Sequence, residues 1–505
     1  MSSFIRTTAR IFWLPTVTLN TIRLSPARTQ STMASNLTRG AGTSAFKMHI
    51  DPENTGLWGV RQTEEAAKKV TELLQEDMEQ HHVFFNKHHF HNHIPHHLLA
   101  LYGTQCTSPS VLQTAYDNNA DYQRPVLPRH DTSTTTTARN QDQAAAFSLS
   151  SEDAWPSSAR KYLGREEYYP DFLAFFQSEL DKHGGASIPD VLNKYLFGDS
   201  EEMMPRLFGG VLHPLIQLMY GMEWNQPAIV AEALAQTAVH SDQMKEYLHS
   251  SAESGAQESG GKGMGKIVDL LNEIKNDTRL SAAAKNSDDQ KIFDGVLGRA
   301  REEMVSLASR VKVGVDEIEE RTAEMFEACV YMAAAAARKG GVKLGKVDKF
   351  DFFLMHHVNS SPIFVTINAQ DWIPKETKAR ILEWKIRMDL LEYAARGVPE
   401  LGVDKLTGYN PRKAREGESI QDIIFRLHTF PDDGHAVKLG RAAVICRNIC
   451  KKYEEQGKDW VQIRGDDAWK KVCHLIVDSV EAPGDTWVRS AGFDEAWESL
   501  PDAKL

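Results

Sequence analysis

The sequence predicts a mainly α protein: a single large multi-helical domain with a buried central site. Three observations favour this fold class. Helical spacing of apolar residues dominates the 505-residue chain, long alternating runs typical of strands are scarce, and residues 207–240 are apolar nearly all round. A helix without a polar face belongs in the middle of a large protein. With 41% hydrophobic residues, the chain can bury an extensive core.

Helix boundaries follow from apolar spacing, capping residues and prolines. Residues 63–80 have helical spacing, and Ser108 followed by Pro109 begins a second helix that should end at 117–119. Pro214 and Pro227 open two buried helices, the second reaching His240. Further helices are predicted near 168–182, 188–197, 267–275, 290–309, 315–338, 375–395 and 434–456.

The first 50 residues differ in composition from the rest of the chain. They contain five arginines and one lysine, are rich in Ser and Thr, and hold no acidic residue before Asp51. This profile is typical of a mitochondrial transit peptide; the alternative is an unstructured leader with Met33 or Met48 as the true start. We therefore expect a disordered leader at 1–45 and a catalytic domain at 46–505, with polar loops near 131–150 and 250–266.

Charge and composition exclude several classes of protein. The net charge is −11 with a pI near 6.0 and no basic stripe, which argues against nucleic acid as a partner. No run of 18 apolar residues predicts a transmembrane segment. The five cysteines form no CxxC pair, which is typical of a reducing compartment. We expect an intracellular protein, mitochondrial if the leader is a transit peptide and otherwise cytoplasmic.

A histidine-rich stretch precedes a very apolar helix. Eight of the 19 histidines fall within residues 81–97, and Asn92 followed by Pro95 predicts a helix start among them. His93 and His97 are four residues apart, so they should share one helical face. Two imidazoles on one face can provide two ligands to a single metal ion. The alternative is a surface tract, or histidines that cap and pack.

More candidate ligands lie in apolar surroundings on other helices. They are His213, His356 and His435, joined by Lys438 on the apolar face of the helix predicted at 434–456. A buried lysine has a lowered pKa, and the neutral amine can bind a metal or form a carbamate; the alternative is a lysine that extends to solvent. Together with His93 and His97, these residues suggest a metal held by ligands from several helices. Imidazole-rich sites suit iron, zinc, copper or nickel.

Other common catalytic motifs do not account for the chain. Residues 260–266 and 340–346 fit GxxxxGK, but neither has the following Ser or Thr that binds magnesium. The sequence contains no GxGxxG, GxSxG or HExxH, and no recognisable flavin motif. Cys446 and Cys450 are one helical turn apart, and small apolar packing is the better interpretation of them.

Several linked motifs resemble the questin oxidase-like family. In chain order they are FHNHIPHHLLALY, YDNNADYQRPVLP, YLGREEYYPDFLAFF, HPLIQLMYG, PAIVAEALAQTAVH, DFFLMHHVNSS, YAARGVPEL and DGHAVKLGRA. The resemblance runs from about His81 to Cys446. It implies a largely helical oxidoreductase that acts on anthraquinone-type polyketides by Baeyer–Villiger-like oxygen insertion or ring cleavage. It also implies NADPH as cosubstrate and a mononuclear non-haem iron held mainly by histidine.

The resemblance assigns motif positions residue by residue. The NHxxHH motif contains Asn92, His93, His96 and His97, while the HPLI, LMH and HxxK motifs supply, in that order, His213, His356, and His435 with Lys438. Many relatives have a second histidine after HPLI, where this chain has Gln217. Which of His93, His96 and His97 would bind a metal stays open, because helical phase allows His93 with either of the others.

The lead hypothesis is an oxygenase that uses dioxygen on a small aromatic polyketide at the histidine site. Lys438, His96 and Tyr116 are candidate catalytic residues, and Tyr102, Tyr122 and Tyr220 could contact a polycyclic phenol. The second hypothesis is a zinc-dependent hydrolase or lyase on the same histidines, with Lys438 as a carbamate. The third is a non-catalytic helical scaffold. The sequence predicts neither the oligomeric state nor the NADPH site.

Overall fold

A computed structural model describes residues 42–130, 155, 158–182, 187–198, 201–258 and 264–503. The described residues are mainly helical and contain no strand, only isolated β-bridges. The predicted fold class is therefore confirmed. The predicted loop at 131–150 and most of the predicted leader, residues 1–41, lie outside the described residues.

The α-helices are numbered here in chain order. They are α1 (Glu64–Gln80), α2 (Ile94–Gly103), α3 (Pro109–Ala120), α4 (Tyr169–Asp181), α5 (Ile188–Leu192), α6 (Gly209–Glu223), α7 (Pro227–Val239), α8 (Lys245–Glu258), α9 (Ile267–Asn276), α10 (Leu297–Arg299), α11 (Arg301–Ser309), α12 (Ile318–Ala337), α13 (Phe352–Ser360), α14 (Pro362–Asn368), α15 (Lys375–Ala395), α16 (Val403–Thr407), α17 (Ile420–Phe425), α18 (His435–Glu455) and α19 (Gly465–Glu481). Short π-helical or 3-10 segments lie between them, including Asn193–Phe197, Met204–Phe208 and Lys291–Val296.

Many predicted helix boundaries agree with the structure because local capping determines them. The Ser108 side chain accepts a hydrogen bond from the Val111 amide, and α3 starts at Pro109 as expected. The helix α15 has the predicted bounds, and α18 differs from its prediction by one residue at each end. Gly397, with φ of 80°, and Gly457, with φ of 72°, take up the left-handed backbone that follows α15 and α18.

Four expected elements differ from the structure. His93, not Asn92, is the N-cap of α2, although the Asn92 side chain still accepts from the Ile94 amide. The helix expected at 290–309 is interrupted at Ala300, whose φ of −139° is not helical. The helix expected over 188–197 changes to π-helical geometry at Asn193. The buried helix expected to open at Pro214 is preceded by a left-handed turn within α6, described below.

The polar loop predicted at 250–266 is shorter than expected, because α8 continues to Glu258. Small residues allow α8 to pack closely on α11: Ser251 is fully buried, and a Cβ added to Gly255 would overlap the Ser309 carbonyl oxygen. Residues 259–263 lie outside the described range. The tertiary contact stabilises a helix that the Gly/Ser composition alone would not predict.

Four helices meet around one point in the core. Helix α2 packs on α6 and α18, and α13 packs on the same two helices. Behind them, α12 contributes a run of five fully buried alanines, residues 333–337, that lets it lie against α13 and α18. In the described part of the chain, no helix is both long and apolar enough to cross a bilayer. The four-helix junction is the setting of the site described next.

Candidate metal centre

Four imidazole rings, one from each of these helices, form a closed square. Neighbouring ring centroids are 4.9 Å apart for His93 and His213, 5.0 Å for His213 and His356, 4.8 Å for His356 and His435, and 4.5 Å for His435 and His93. All four side chains are buried. The Nε2 atoms of His93 and His213 are 2.7 Å apart, and those of His435 and His356 are 3.0 Å apart.

A strained turn positions His213. The three residues before it, Gly210, Val211 and Leu212, have left-handed φ values of 51°, 54° and 65°. Left-handed backbone is unfavourable for Val and Leu because the side chain crowds the carbonyl oxygen. Such strain persists only where surrounding structure imposes it, and it concentrates at functional sites. Here the turn brings the Gly210 carbonyl within 2.7 Å of His213 Nδ1.

Helix ends position the other three imidazoles. His93 is the N-cap of α2, and His435 is the first residue of α18. His356 lies one turn into α13, where its Nδ1 donates to the Phe352 carbonyl at 2.6 Å. The α18 start is tightly packed: Gly434 has φ of 87°, and a Cβ added to it would lie 2.6 Å from the Cβ of His97. Only glycine fits there, because both the backbone and the contact exclude a side chain.

The hydrogen bonds of the Nδ1 atoms determine which ring nitrogens carry protons. Carbonyl oxygens only accept, so His213 and His356 must carry their protons on Nδ1. The Asp433 carboxylate accepts from Nδ1 of both His93, at 2.7 Å, and His435. In the neutral rings, all four Nε2 atoms are then unprotonated. Pairs of nitrogen lone pairs consequently face each other at hydrogen-bonding distance with no proton between them.

Burial keeps the square uncharged. Desolvation and the nearby Lys438 ammonium lower the pKa of His93 to about 3. Desolvation also lowers the pKa of His213, His356 and His435, with neighbouring imidazoles and Lys438 adding to the effect. Protonating His213 or His356 would place a charge in the core without a carboxylate partner, and for His93 and His435 burial outweighs the opposing effect of Asp433. A bound cation is the partner that neutral imidazole lone pairs accept most readily.

The two acidic residues before α18 have different roles. Asp432 accepts from the amides of Gly434 and Ala436, and so satisfies the free N–H groups of the helix start. Burial and the adjacent Asp433 raise the pKa of Asp432 to about 7. Asp433 stays ionised, because the two imidazoles that donate to it hold its pKa well below the usual range against the effect of burial. A carboxylate that orients two imidazoles is a common support of metal ligands.

The structure brings together some of the sequence candidates and separates others. The ligand atoms of His93, His213 and His435 lie within 4.8 Å of one another, and His356 completes the square. Lys438 is buried one turn after His435, and desolvation lowers its pKa to about 8 although Asp433 and Asp432 oppose this. His97 lies outside the square and packs against Gly434. Tyr116 lies outside it as well, with its ring 6.2 Å from that of His81.

His96 belongs to a second polar chain beside the square. Its Nε2 is 2.5 Å from the Gln217 side-chain oxygen, an acceptor, so this nitrogen carries the proton. The Gln217 amide in turn donates to Glu232, whose pKa burial raises to about 8. The Tyr220 ring stacks on His96 at 5.5 Å. Gln217 thus links His96 to Glu232 by accepting from the one and donating to the other.

Three residues of the site were not singled out from the sequence. Asp433 is one, although it stands in a DDGH run next to His435. His91 and His240 are the others: their Nε2 atoms are 2.7 Å apart, and His91 stacks flat on His213 at 4.1 Å. His91 belongs to the histidine-rich stretch, so composition gave a signal for it. His240 lies 149 residues further along the chain, and no local pattern connects the two.

The donor set fits a metal ion. Ligand atoms of a tetrahedral ion with bonds of ~2.1 Å lie about 3.4 Å apart. The observed Nε2 separations of 2.7 and 3.0 Å are therefore within some tenths of an ångström of such a geometry. The orienting hydrogen bond on each Nδ1 is the second requirement of a histidine metal site, and all four rings meet it. The fold and the site together define a helical protein with a buried four-histidine candidate metal centre.

Comparison with known proteins identifies the family. The profile of the Questin oxidase-like family matches residues 90–443. A questin oxidase of Aspergillus fumigatus is 34% identical over 451 residues, which cover 86% of this chain and 94% of that protein. The Baeyer-Villiger oxidase ptaJ of Pestalotiopsis fici is 32% identical over 91% of this chain and 99% of its own length, and the oxidoreductase AflY of Aspergillus parasiticus is 32% identical over 86% and 89%.

The chain belongs to the Questin oxidase-like family, as the sequence motifs predicted, and it is an oxidoreductase. The matched residues contain all four imidazoles of the square together with Asp433 and Lys438. The family match and the geometry therefore point to the same part of the molecule.

Proposed function

We propose that this protein is a non-haem iron oxygenase that inserts oxygen into, or cleaves, a ring of an anthraquinone-type polyketide. The observation that carries the proposal is the two pairs of facing Nε2 atoms in the core, in four neighbouring rings whose Nδ1 atoms all contact an acceptor. Relatives named questin oxidase and Baeyer-Villiger oxidase support the reaction and the substrate class.

Iron is favoured over zinc by the class of reaction. Imidazole ligands suit both metals, but zinc has no redox chemistry, whereas the relatives are oxidases and monooxygenases. Iron held by His93, His213, His356 and His435 would supply activation of dioxygen. The zinc hydrolase or lyase considered from the sequence has no support among these relatives.

The reaction determines what a reductant must supply. In a Baeyer–Villiger insertion, one atom of dioxygen enters the bond between a carbonyl carbon and its neighbour, and the other atom leaves as water. This balance requires two electrons and two protons, which NADPH and one solvent proton provide. A cleavage that places both oxygen atoms in the product requires no reductant. Measuring NADPH consumed per dioxygen therefore distinguishes the two outcomes.

Residues of the chain around the square hold protons and exclude water. Lys438, with a pKa lowered to about 8, can give or take a proton near neutral pH, which makes it the strongest catalytic candidate. Asp433 keeps two of the imidazoles in the required tautomer. Leu98, Leu212 and Met355 are buried on the same helices and keep the surroundings apolar.

The location of the protein in the cell is a separate proposal. The arginine-rich, acid-free composition of residues 1–45 supports import into mitochondria. A fluorescent reporter fused behind residues 1–45 should enter mitochondria, and uniform cytoplasmic fluorescence would contradict this.

Metal content and oxygen uptake test the proposed function together. Protein purified with and without air is analysed for metals, then supplied with NADPH and a hydroxyanthraquinone in an oxygen electrode. We expect about one iron per chain and oxygen uptake in proportion to iron. Oxygen uptake that does not follow iron content, or full activity with zinc under anaerobic conditions, would refute the proposal.

A further inference from the structure

A short segment near the C-terminus lies across the start of α13. We call residues 487–491 the strap. The Val488 amide donates to the Phe350 carbonyl at 3.0 Å, and the Phe352 amide donates to the Val488 carbonyl at 2.8 Å, in a parallel bridge. Within the strap, the Val488 side chain is buried. Of its two chain neighbours, Trp487 is half-buried and Arg489 is exposed.

The aromatic ring of Phe352 connects the strap to the histidine square. Its centroid is 4.6 Å from that of His356 and 5.4 Å from that of His435. The Trp487 ring is 6.2 Å from His435. Phe352 and Trp487 are both partly exposed, unlike the fully enclosed residues on the other sides of the square. The two rings therefore form an apolar surface between solvent and the candidate metal centre.

Arg489 adds a positive charge to this surface. Its guanidinium lies 4.4 Å from the centroid of Phe352, and the residue is exposed. Among the described residues, Arg489 has neither an ion pair nor a hydrogen-bond partner, and the Trp487 indole N–H has no hydrogen-bond partner either. The nearby Arg396 differs, because it is buried and paired with Glu392 at 2.8 Å. Arg489 thus keeps its donors available on a surface that reaches the square.

Asp433, the ionised carboxylate that supports the square, forms no ion pair with Arg489 in the described part of the chain. Its two oxygens accept instead from His93 and His435. An incoming anion would therefore meet a guanidinium whose charge is not already paired.

We propose that the strap is the outer part of the substrate site and that Arg489 selects substrates with an acidic oxygen. A planar aromatic ring lies against Trp487 and Phe352, while the guanidinium pairs with an ionised phenol or a carboxylate on that ring. This inference rests on the proposed function, because it places the substrate next to the square. Trp487 and Arg489 lie beyond residues 90–443, so they fall outside the part of the chain matched by the family profile.

Equilibrium binding of two matched probes tests the charge. The probes are a hydroxyanthraquinone that is ionised at the pH of the measurement and the same compound with that hydroxyl methylated. We expect Arg489→Gln to weaken binding of the ionised probe about ten- to a hundredfold and to leave the methyl ether unchanged, because one charge-assisted hydrogen bond is lost. Arg489→Lys should retain part of the preference, since it keeps the charge without the planar fork.

Two further variants distinguish the effect of the Arg489 charge from stacking on Trp487 and from a general change in the net charge of the protein. Trp487→Ala should weaken both probes alike, about tenfold, because it removes an apolar surface that does not depend on ionisation. Arg310→Gln is the matched control: it removes one exposed guanidinium that pairs with Glu273 away from the strap, and it should change neither affinity. Metal content is measured in every variant to show that the square is intact.

The outcomes are distinguishable from those of the oxygenase test. Equal losses for the two probes, no change in Arg489→Gln, or failure of the wild-type protein to bind either probe would overturn the inference. The measurement needs no turnover, so discrimination by Arg489 without oxygen uptake would refute the oxygenase alone. Oxygen uptake without discrimination would refute the role of Arg489 alone.

Discussion

Two adjacent histidines on α13 have opposite environments. His356 faces the square, where its Nε2 meets only the Nε2 of His435. His357 points to α15, where its Nδ1 is 2.5 Å from Asp389 and its Nε2 is 3.6 Å from Glu392. Both side chains are fully buried. Burial lowers the pKa of His356 well below its usual value, whereas the hydrogen bonds to Asp389 and Glu392 overcome burial and raise that of His357.

The ion pairs around His357 form a structural charge network, whereas the rings around His356 form a candidate ligand site. Around His357 every charge is paired: Lys385 contacts Asp389 at 2.5 Å, and Arg396 pairs with Glu392. Such a network is complete without any further group. In the square, by contrast, acceptors support each Nδ1 and no proton remains for the facing Nε2 atoms. The second arrangement therefore has lone pairs that a metal ion could accept, and the first has none.

The largest effect should come from removing a corner of the square. We expect His213→Ala to lose most of its bound metal and its oxygen uptake, because one of four ligands disappears. Elemental analysis and an oxygen electrode measure both losses. His474→Ala is the control, since His474 is buried but pairs only with Glu418. Equal metal content in the two variants would contradict the assignment of the square.

The adjacent histidines provide a matched pair for stability. His357→Leu should lower the free energy of unfolding by about 1.5–3 kcal/mol, because the buried Asp389 and Glu392 lose a charge-assisted hydrogen-bond donor and keep only Lys385 and Arg396. It should keep its metal content. His356→Leu should do the reverse: it loses metal but costs the metal-depleted protein little, since its lone pair stabilises nothing there. Urea unfolding of metal-depleted protein compares them, and a larger cost for His356→Leu would reverse our assignment of the two roles.

A smaller effect is expected from the carboxylate behind the square. Asp433→Asn keeps the shape but weakens the hydrogen bonds that orient His93 and His435. Removing such support typically lowers metal affinity 10- to 100-fold. Competition with a chelator measures the change. Asp422→Asn is the control, because Asp422 caps α17 at an exposed position. An unchanged affinity in Asp433→Asn would show that the carboxylate does not orient the ligands.

The sequence predicted the parts of the fold that local interactions determine. Helices α3, α15 and α18 start or end at residues with clear capping or breaking properties, and their bounds were close to those observed. The break at Ala300 and the left-handed turn at residues 210–212 were not predictable. Val211 and Leu212 do not favour left-handed backbone, so only tertiary contacts can impose it.

Residues of the candidate site could be predicted where a polar side chain stands in an apolar segment of the sequence. His213, His356 and His435 stand in apolar segments, and that conflict identified them as candidates before the structure was known. Asp433 was missed because two aspartates before a glycine are equally typical of a turn. Arg489 gave no signal at all, since an exposed arginine is ordinary until its position beside Phe352 is known. The remaining features of the site depend on contacts between segments far apart in the chain, which the sequence alone does not give.

His93 and His357 make the stability of the protein depend on pH in opposite directions. Burial lowers the pKa of His93 to about 3, whereas an unfolded histidine has a pKa of about 6.5. The unfolded chain therefore binds the proton first, so stability is complete above pH ~6.5 and decreases as the pH falls from there towards 3. The raised pKa of His357 has the opposite sign: its stabilisation is complete below pH ~6.5 and is lost as the pH rises through the folded value.

Metal-depleted protein should show directly how His93 contributes to the pH dependence of the free energy of unfolding. Between pH ~6.5 and pH ~5.5 the wild-type protein should lose about 1.0 kcal/mol more than His93→Gln, because the unfolded imidazole goes from half to almost fully protonated while the folded one stays neutral. Urea unfolding at the two pH values measures the difference. His357→Gln provides the contrast, because the wild-type protein loses no such contribution from His357 on acidification. Equal pH dependence of the wild-type protein and His93→Gln would mean that the square accepts protons in the folded state, and then its lone pairs would not be reserved for a metal.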